Sequence, residues 1–411
     1  MEIKRYRHRT HKTSVGRCVL DPSRNRLVRF TPEERVRQDT VFTLIEDYGY
    51  PIRCIGTEET VSNKPLLRAD IVLWGNSDGG DLEPIAVVEC KASGVDLTND
   101  HIDQTWRYCD SVGARYMVIT NGTDTWVLEK DEAQDLLRLV EDIPSFSEST
   151  PGSWTSQYVE LDEGQARPTA LELADENWLE EQVREIYAGW IIGVDSDSLI
   201  WPLAINMHHL LTDSQLFFDE PISWLGYTML EDRWISRHAF GNAAGGRFTG
   251  DYRSFLVEDP SGKCHMVRFM ICATGHYQDN PTFGNKKGRT FLNVAVSDAR
   301  SDHNSLQLCL DRFVAIGPKE YMLWHDGRMA VGNRGRIHNA KTLSFVADRQ
   351  PSLVVGDPEN RARVHLGAIP RGKLLAWGDI SEVVLNATVY ALLRDDLRNK
   401  VGRRKRRRRK R

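Results

Sequence analysis

The sequence predicts an α/β domain built on a mixed sheet flanked by helices, followed by a β-rich α+β domain. Three observations predict this. Between residues 31 and 143, segments of helical and of strand periodicity alternate. Residues 144–170 carry Pro144, Ser145, Ser147, Ser149, Pro151, Gly152 and Ser153, which interrupt any periodicity and read as a linker. Beyond residue 190 the chain reads as many short strands separated by turns such as Pro260–Gly262 and His325–Gly327. A length of 411 residues gives room for two domains of the usual size.

In chain order, residues 1–30 read as a basic arm with one short strand at Leu27–Phe30. From Thr31, apolar residues at Val36, Val41, Leu44, Ile45 and Tyr48 recur at helical spacing. Thr31 caps this helix, Pro32 suits its first turn and Gly49 ends it. A weak strand follows at Ile52–Ile55 and a clearer one at Arg68–Trp74. The turn cluster Gly75–Asp81 leads to the apolar run Ile85–Val88. A second helix fits Asn99–Val112, stopped by Gly113. The strand Tyr116–Thr120 ends at Asn121-Gly122, and Thr125–Leu128 returns as its hairpin partner. The order is α-β-β-β-α-β-β. After the linker come a helix at Leu171–Trp190 and strands including Arg253–Val257, His265–Cys272, Thr290–Val296 and Leu306–Ile316. A closing helix is expected at Leu385–Leu397, so the second domain spans 171–400 and residues 401–411 are a tail.

Composition excludes several classes. No stretch approaches the roughly 18 apolar residues of a membrane span. Met1–Lys12 is basic and polar, without the apolar core of a secretory signal. The seven cysteines, at 18, 54, 90, 109, 264, 272 and 309, form no C-x-x-C pair, which argues for a reducing, cytoplasmic compartment. The net charge of −4 hides an asymmetry: Arg403–Arg411 is nine consecutive basic residues, and without them 45 basic residues face 58 acidic ones. Such a block is expected to stay unstructured and to attract polyanions, with Arg403, Arg404 and Lys405 as candidate substrate contacts.

The chemistry lies in three segments: Arg68-Ala-Asp-Ile-Val-Leu-Trp74, Ile85-Ala-Val-Val-Glu-Cys-Lys91 and Gln104-Thr-Trp-Arg-Tyr108. Glu89 and Lys91 are two apart on a strand and project together. Their apolar neighbours predict a buried strand, where charges cost several kcal/mol unless paired or metal-bound. A hairpin would set Asp70 beside Glu89, and a bound Mg²⁺ would relieve the repulsion of the two carboxylates. The bland alternative is a buried structural ion network of Asp70, Glu89 and Lys91.

The element order decides between them by a likeness. With Pro32-Glu-Glu34, Val36-Arg-Gln38, Tyr48-Gly-Tyr-Pro51, Arg68-Ala-Asp70, Val88-Glu-Cys-Lys-Ala92, Gln104-x-x-x-Tyr108 and Thr120-Asn-Gly122, residues 31–130 resemble the PD-(D/E)-x-K nuclease superfamily. They resemble more closely the N-terminal nuclease domain of type I restriction enzyme R subunits. The resemblance implies a restriction-endonuclease-like core in which Asp70, Glu89 and the backbone carbonyl of Cys90 hold Mg²⁺ or Mn²⁺. It implies that Lys91 is the catalytic lysine. Gln104 and Tyr108, at i and i+4, share a helix face; Gln104 could reach the site, and Tyr108 touches DNA, supports Gln104 or simply packs. Glu34 has two readings: an active-site acid, from the resemblance, or the glutamate of a capping box Thr31-Pro-Glu-Glu34.

Type I R subunits carry a motor after this domain, and here no G-x-x-x-x-G-K-[ST] occurs; the nearest run, Gly284–Thr290, has the wrong spacing. No ATP site is therefore expected, and a motor or sensor would act in trans. Trp234–Gly250 reads as a flexible loop. His208-His209 reads as structural, without a third ligand. The expectation is a Mg²⁺-dependent DNA endonuclease of prokaryotic defence against foreign DNA, with RNA as the alternative substrate. It would be homo-oligomeric, because cutting two strands needs two sites, and would make no membrane contact. The competing readings are an effector gated by a ligand or partner, and a non-catalytic nucleic-acid-binding module that keeps the fold.

Overall fold

Ile85-Ala-Val-Val88 is apolar at every position because its strand is covered on both faces. The computed structural model describes residues 1–63, 66–76, 82–131, 136–146, 167–241, 247–281, 284–330, 335–357 and 360–409. The chain divides into two compact units, Met1–Gln165 and Ala166–Arg411.

In the first unit, β1 (Thr10–Thr13), β2 (Gly16–Asp21) and β3 (Arg26–Arg29) form a three-stranded antiparallel sheet. Helix α1 (Pro32–Glu46) follows, then β4 (Ile55–Asn63), β5 (Leu66–Asn76), β6 (Leu82–Cys90), α2 (Asn99–Val112), β7 (Tyr116–Thr120), β8 (Thr125–Asp131) and β9 (Leu136–Val140). Strands β4 to β9 lie in sequence order in one six-stranded sheet. Only the β6–β7 pair is parallel, because α2 makes the crossover between them. The sheet is thus mixed, as expected. Val36, Val41 and Leu44 of α1 pack with Ile71, Leu73, Val88 and Val118. Cys109 of α2 packs with Val72, Val87, Met117 and Ile119 on the other set of strand positions.

The amino-terminal arm departs from expectation. Residues 1–30 carry three strands rather than one, and the segment before them is strapped along α1. Lys4 N–H donates to Thr43 Oγ1 at 3.1 Å, Tyr6 N–H to Asp39 Oδ1 at 3.0 Å, and His8 Nε2 lies 2.6 Å from the same oxygen. Asp21, fully buried, accepts from Thr57 Oγ1 at 2.8 Å and ties this sheet to β4. Thr10–Thr13 holds no apolar residue and Gly16–Asp21 has no period-two alternation, which hid β1 and β2. Ile52–Cys54, expected within a strand, is a 3₁₀ turn ahead of β4. Most of the expected turn at Gly75–Asp81 and of the linker at 144–170 falls outside the described residues.

The second unit begins with a 3₁₀ turn, Glu172–Ala174, and a short helix α3 (Glu176–Gln182) that runs on as a π-helical turn over Val183–Tyr187, so the helix expected over Leu171–Trp190 starts later and ends earlier. Helix α4 (Trp201–Leu211) follows. Six antiparallel strands come next in sequence order: β10 (Ile222–Trp224), β11 (Tyr227–Gly241), β12 (Arg247–Glu258), β13 (Cys264–Ala273), β14 (Thr290–Asp298) and β15 (Ser301–Cys309). A second sheet holds β16 (Val314–Ile316), β17 (Glu320–His325), β18 (Val354–Asp357) and β19 (Asn360–Pro370), with α5 (Asn339–Ala347) before β18. Helix α6 (Trp377–Arg409) ends the unit and packs Ile380, Val383, Ala387 and Tyr390 into the core.

Three expectations are corrected here. Trp234–Gly250 is not a loop: β11 and β12 pair through Arg237–Asp251, Phe240–Phe248 and Gly241–Arg247, with 242–246 outside the described residues. The Phe240 and Tyr252 rings meet edge-on at 5.0 Å and hold this extension in a small core with Met270 and Cys272. The closing helix extends well beyond Leu397. The basic block, expected to be unstructured, continues its backbone to Arg409, while the side chains of Arg403, Arg404 and Lys405 lie outside the described residues.

His325 is buried, and its Nδ1 accepts from Gly327 N–H at 3.1 Å while lying 2.8 Å from the Tyr390 hydroxyl. An acceptor Nδ1 requires a neutral imidazole, and burial together with Arg394, Arg328 and Arg312 holds this histidine well below its ordinary range. The unfolded chain therefore binds the proton first as pH falls, so this stability is present above about pH 6.5 and lost below it. Between pH 7 and pH 5 the wild type should lose about 2 kcal/mol more than His325→Asn in chemical denaturation. Parallel pH dependences for the two proteins would refute the neutral-histidine account.

Candidate active site

Glu34, Arg37 and Gln38 stand at i, i+3 and i+4 on α1 and so share one face. Asp70 lies in β5 and Glu89 in β6, and the pairing of Ile71 with Val88 sets the two carboxylates at the same end of the hairpin. Lys91 follows β6 directly, its backbone fixed by a 2.8 Å bond from its N–H to Thr120 O of β7. Gln104 reaches the same end from α2.

Two clusters meet there. In the first, the buried Arg37 guanidinium donates to Glu34 Oε2 and to Asp70 Oδ1, each at 2.5 Å, and lies 2.8 Å from Glu58 Oε1. Gln38 Nε2 donates to Glu34 Oε1 at 2.8 Å. In the second, Lys91 Nζ donates to Glu89 Oε1 at 2.7 Å, and Gln104 Nε2 donates to the same oxygen at 2.8 Å. Gln104 Nε2 also lies 2.8 Å from Tyr108 Oη, so the i, i+4 pair is in contact. Asp70 belongs to both clusters: its Oδ2 accepts from Cys90 N–H at 2.7 Å, which splices β5 to the end of β6.

The electrostatics follow from burial. Glu89 is pushed well above the usual carboxylate range, first by burial and then by the Asp70 charge, against the pull of Lys91. Glu34 is also raised by burial, with Arg37 and Gln38 opposing. Burial works against the Arg37 and Lys91 charges, yet the carboxylates beside them outweigh it and both are held above their ordinary values. Burial therefore opposes the charges of Glu34 and Glu89, while Arg37 and Lys91 are held charged.

The two readings of Glu34 separate into different atoms. Its backbone N–H donates to Thr31 Oγ1 at 3.1 Å and completes the cap, while Thr31 N–H donates to Arg29 O. The reciprocal half of a capping box is thus taken by Arg29, and the Glu34 carboxylate is free to turn inward. Arg37 and Glu58 are residues that the sequence reading gave no role. The spacing of Arg37 from Glu34 was a usable signal. Glu58 left none: it takes a left-handed backbone, φ 50°, within β4, and that kink sends its carboxylate to Arg37.

Asp70, Glu89 and the Cys90 carbonyl offer two carboxylates and a carbonyl, hard-oxygen donors of the kind Mg²⁺ or Mn²⁺ takes. The raised Glu89 fits such an ion, since a nearby divalent charge would restore its ionised form. Among the described residues no group of three or more His, Cys, Asp or Glu side chains converges as a complete metal centre. The residues present thus fit a two-carboxylate site. Elsewhere, His209 Nε2 lies 2.8 Å from Tyr187 Oη.

Removing Arg37 tests the charge balance. Arg37→Met leaves Glu34 and Asp70 buried without their cation and should destabilise the chain by about 3–5 kcal/mol, with Glu34→Gln in the same chain recovering part of the loss. A loss below about 1 kcal/mol in denaturant titrations would mean that the cluster is solvated rather than buried.

No curated protein and no solved structure matches the chain. Residues 32–144, about a quarter of the chain, match the family model of the type I restriction enzyme R protein N terminus. The match begins with α1 and runs past β9, so it takes in every residue of both clusters. This segment of the first unit is a restriction-enzyme-like N-terminal domain.

Proposed function

We propose that the first unit is a metal-dependent endonuclease of the PD-(D/E)-x-K type that hydrolyses phosphodiester bonds in DNA, serving defence against foreign DNA. The observation that carries this reading is the convergence of Lys91 and Gln104 on one carboxylate oxygen of Glu89, beside Asp70, inside the segment that matches the restriction-enzyme family.

Asp70, Glu89 and the Cys90 carbonyl would hold Mg²⁺ or Mn²⁺. When bound, the ion would polarise a phosphate oxygen and make its water a stronger nucleophile near neutral pH. Lys91, anchored on Glu89, places an ammonium where charge grows on the phosphate in the transition state. Gln104 fixes the Glu89 carboxylate and passes the constraint to Tyr108. Arg37 holds Asp70 and Glu34 in register, so the metal-facing acids need no reorganisation when phosphate arrives. The basic run Arg403–Arg411 would add phosphate contact without sequence preference.

A supercoiled-plasmid assay tests the reading. With Mg²⁺ or Mn²⁺ the wild type should nick or linearise plasmid, and Glu89→Ala and Lys91→Ala should each lose at least 100-fold in rate, the scale on which removing one charge-stabilising group acts. Lys91→Ala should still show a metal-induced rise in melting temperature, and Glu89→Ala should not. Equal cutting by all three proteins would refute the assignment.

A further inference from the structure

The second unit contains a cavity of about 320 Å³ walled by Asn304, Gln307, Arg328, Arg336, Arg394 and Arg398 among others, with no aspartate or glutamate in its lining. Four arginines around one small space repel one another, so their counter-charges decide what the space can hold. Arg328 is paired with Asp326 at 2.8 Å, a carboxylate it shares with Arg312. Arg398 lies 3.7 Å from Asp395, which also serves His303 at 3.1 Å. Arg336 is exposed and has no ion pair among the described residues.

Arg394 is the decisive residue. It is 6% exposed, yet its bonds go only to neutral acceptors: Nε to Ser305 O at 2.8 Å, Nη1 to Arg328 O at 2.9 Å and to Tyr390 Oη at 3.2 Å. Its Nη2 has no partner among the described residues. A buried guanidinium with no carboxylate is an unfavourable arrangement unless an anion completes it. Arg394 and Arg398 are also four apart on α6, stacked like charge on like charge. Burial and the charge of Arg394 pull Arg398 down to about 10.

We propose that this cavity is a binding site for a small phosphate monoester of nucleotide size. The two arginines without a carboxylate, Arg336 and Arg394, match the charge of roughly −1.5 to −2 that a monoester carries at neutral pH, and a single carboxylate would leave one of them unanswered. Planar guanidinium forks fit phosphate oxygens in paired hydrogen bonds. The volume lies at the lower end of small-molecule sites. The amides of Asn304 and Gln307 offer both donors and acceptors to the remainder of the ligand. A nucleic-acid duplex, whose phosphates line a broad outer surface, fits a cavity of this size poorly.

The test is a binding titration of the full chain at fixed ionic strength with inorganic phosphate, AMP and adenosine as probes, read by calorimetry and by melting temperature. It does not depend on nuclease activity. Phosphate and AMP should bind saturably at one site per chain and raise the melting temperature, and adenosine should do neither. AMP binding more tightly than phosphate identifies a nucleotide site, and equal affinities identify a site for the phosphate group alone. Arg336→Ala, whose side chain supports nothing else in the fold, should weaken binding at least tenfold, and Arg394→Gln at least 100-fold. If Arg394→Gln fails to fold, Arg336→Ala decides the matter alone. Absence of saturable binding by both anions, or unchanged affinity in Arg336→Ala, overturns the proposal. So does a DNA duplex that binds in an Arg336-dependent way when neither small anion does.

Discussion

The first unit is organised around a guanidinium placed among acids. Glu34, Glu58 and Asp70 come from a helix and two strands and could not be buried at one spot without a cation between them. Arg37 is that cation, and it touches all three. Its position ties α1 to the β4–β5 hairpin beside the apolar contacts of Val36 and Leu44, and it adds direction, which apolar contact lacks. A second base, Lys91, answers Glu89 a few residues away. The candidate site is therefore a charge lattice first, and its chemistry is what that lattice leaves available at its open edge.

Much of this was legible in the sequence. The helices Pro32–Glu46 and Asn99–Val112 follow from apolar spacing and from end signals at Thr31, Pro32 and Gly113. The buried strand at Ile85–Val88 and the hairpin after Thr120 follow from composition and turn chemistry. Because β5 and β6 are joined as neighbours, the meeting of Asp70 with Glu89 could be read from residue order alone. Other features had no local signature. Strands β1 and β2 lack a period-two pattern, and Asp21 ties them to Thr57 of β4, well along the chain. Glu58 joins the site through one left-handed residue. In the second unit, the helical reading of Leu171–Trp190 saw real periodicity but not its end at Tyr187, and the glycines between Phe240 and Asp251 in the sequence hid the long pairing of β11 with β12.

The second unit handles two buried arginines differently. Arg253, fully buried in β12, is matched with Asp232 and with the backbone carbonyls of Asp213 and Gln215, and it stacks on the Phe217 ring at 4.0 Å. Every part of that guanidinium is answered inside the fold, so it behaves as a structural clamp. Arg394 is answered only in part. The contrast within one unit separates a charge that completes the fold from a charge that is left for something outside it.

The hydrogen bond from Cys90 N–H to Asp70 has a bearing on descent. Asp70 ties one strand to the next whether or not any phosphate is ever cleaved, so a lineage that abandoned hydrolysis would still have a folding reason to keep it. Lys91 shows no comparable duty: among the described residues its side chain is bonded to Glu89 alone, and its backbone bond to Thr120 would survive any substitution but proline. On the nuclease reading proposed above, the aspartate is thus a marker of architecture among sequences that share this domain, and the lysine is the better marker of the chemistry.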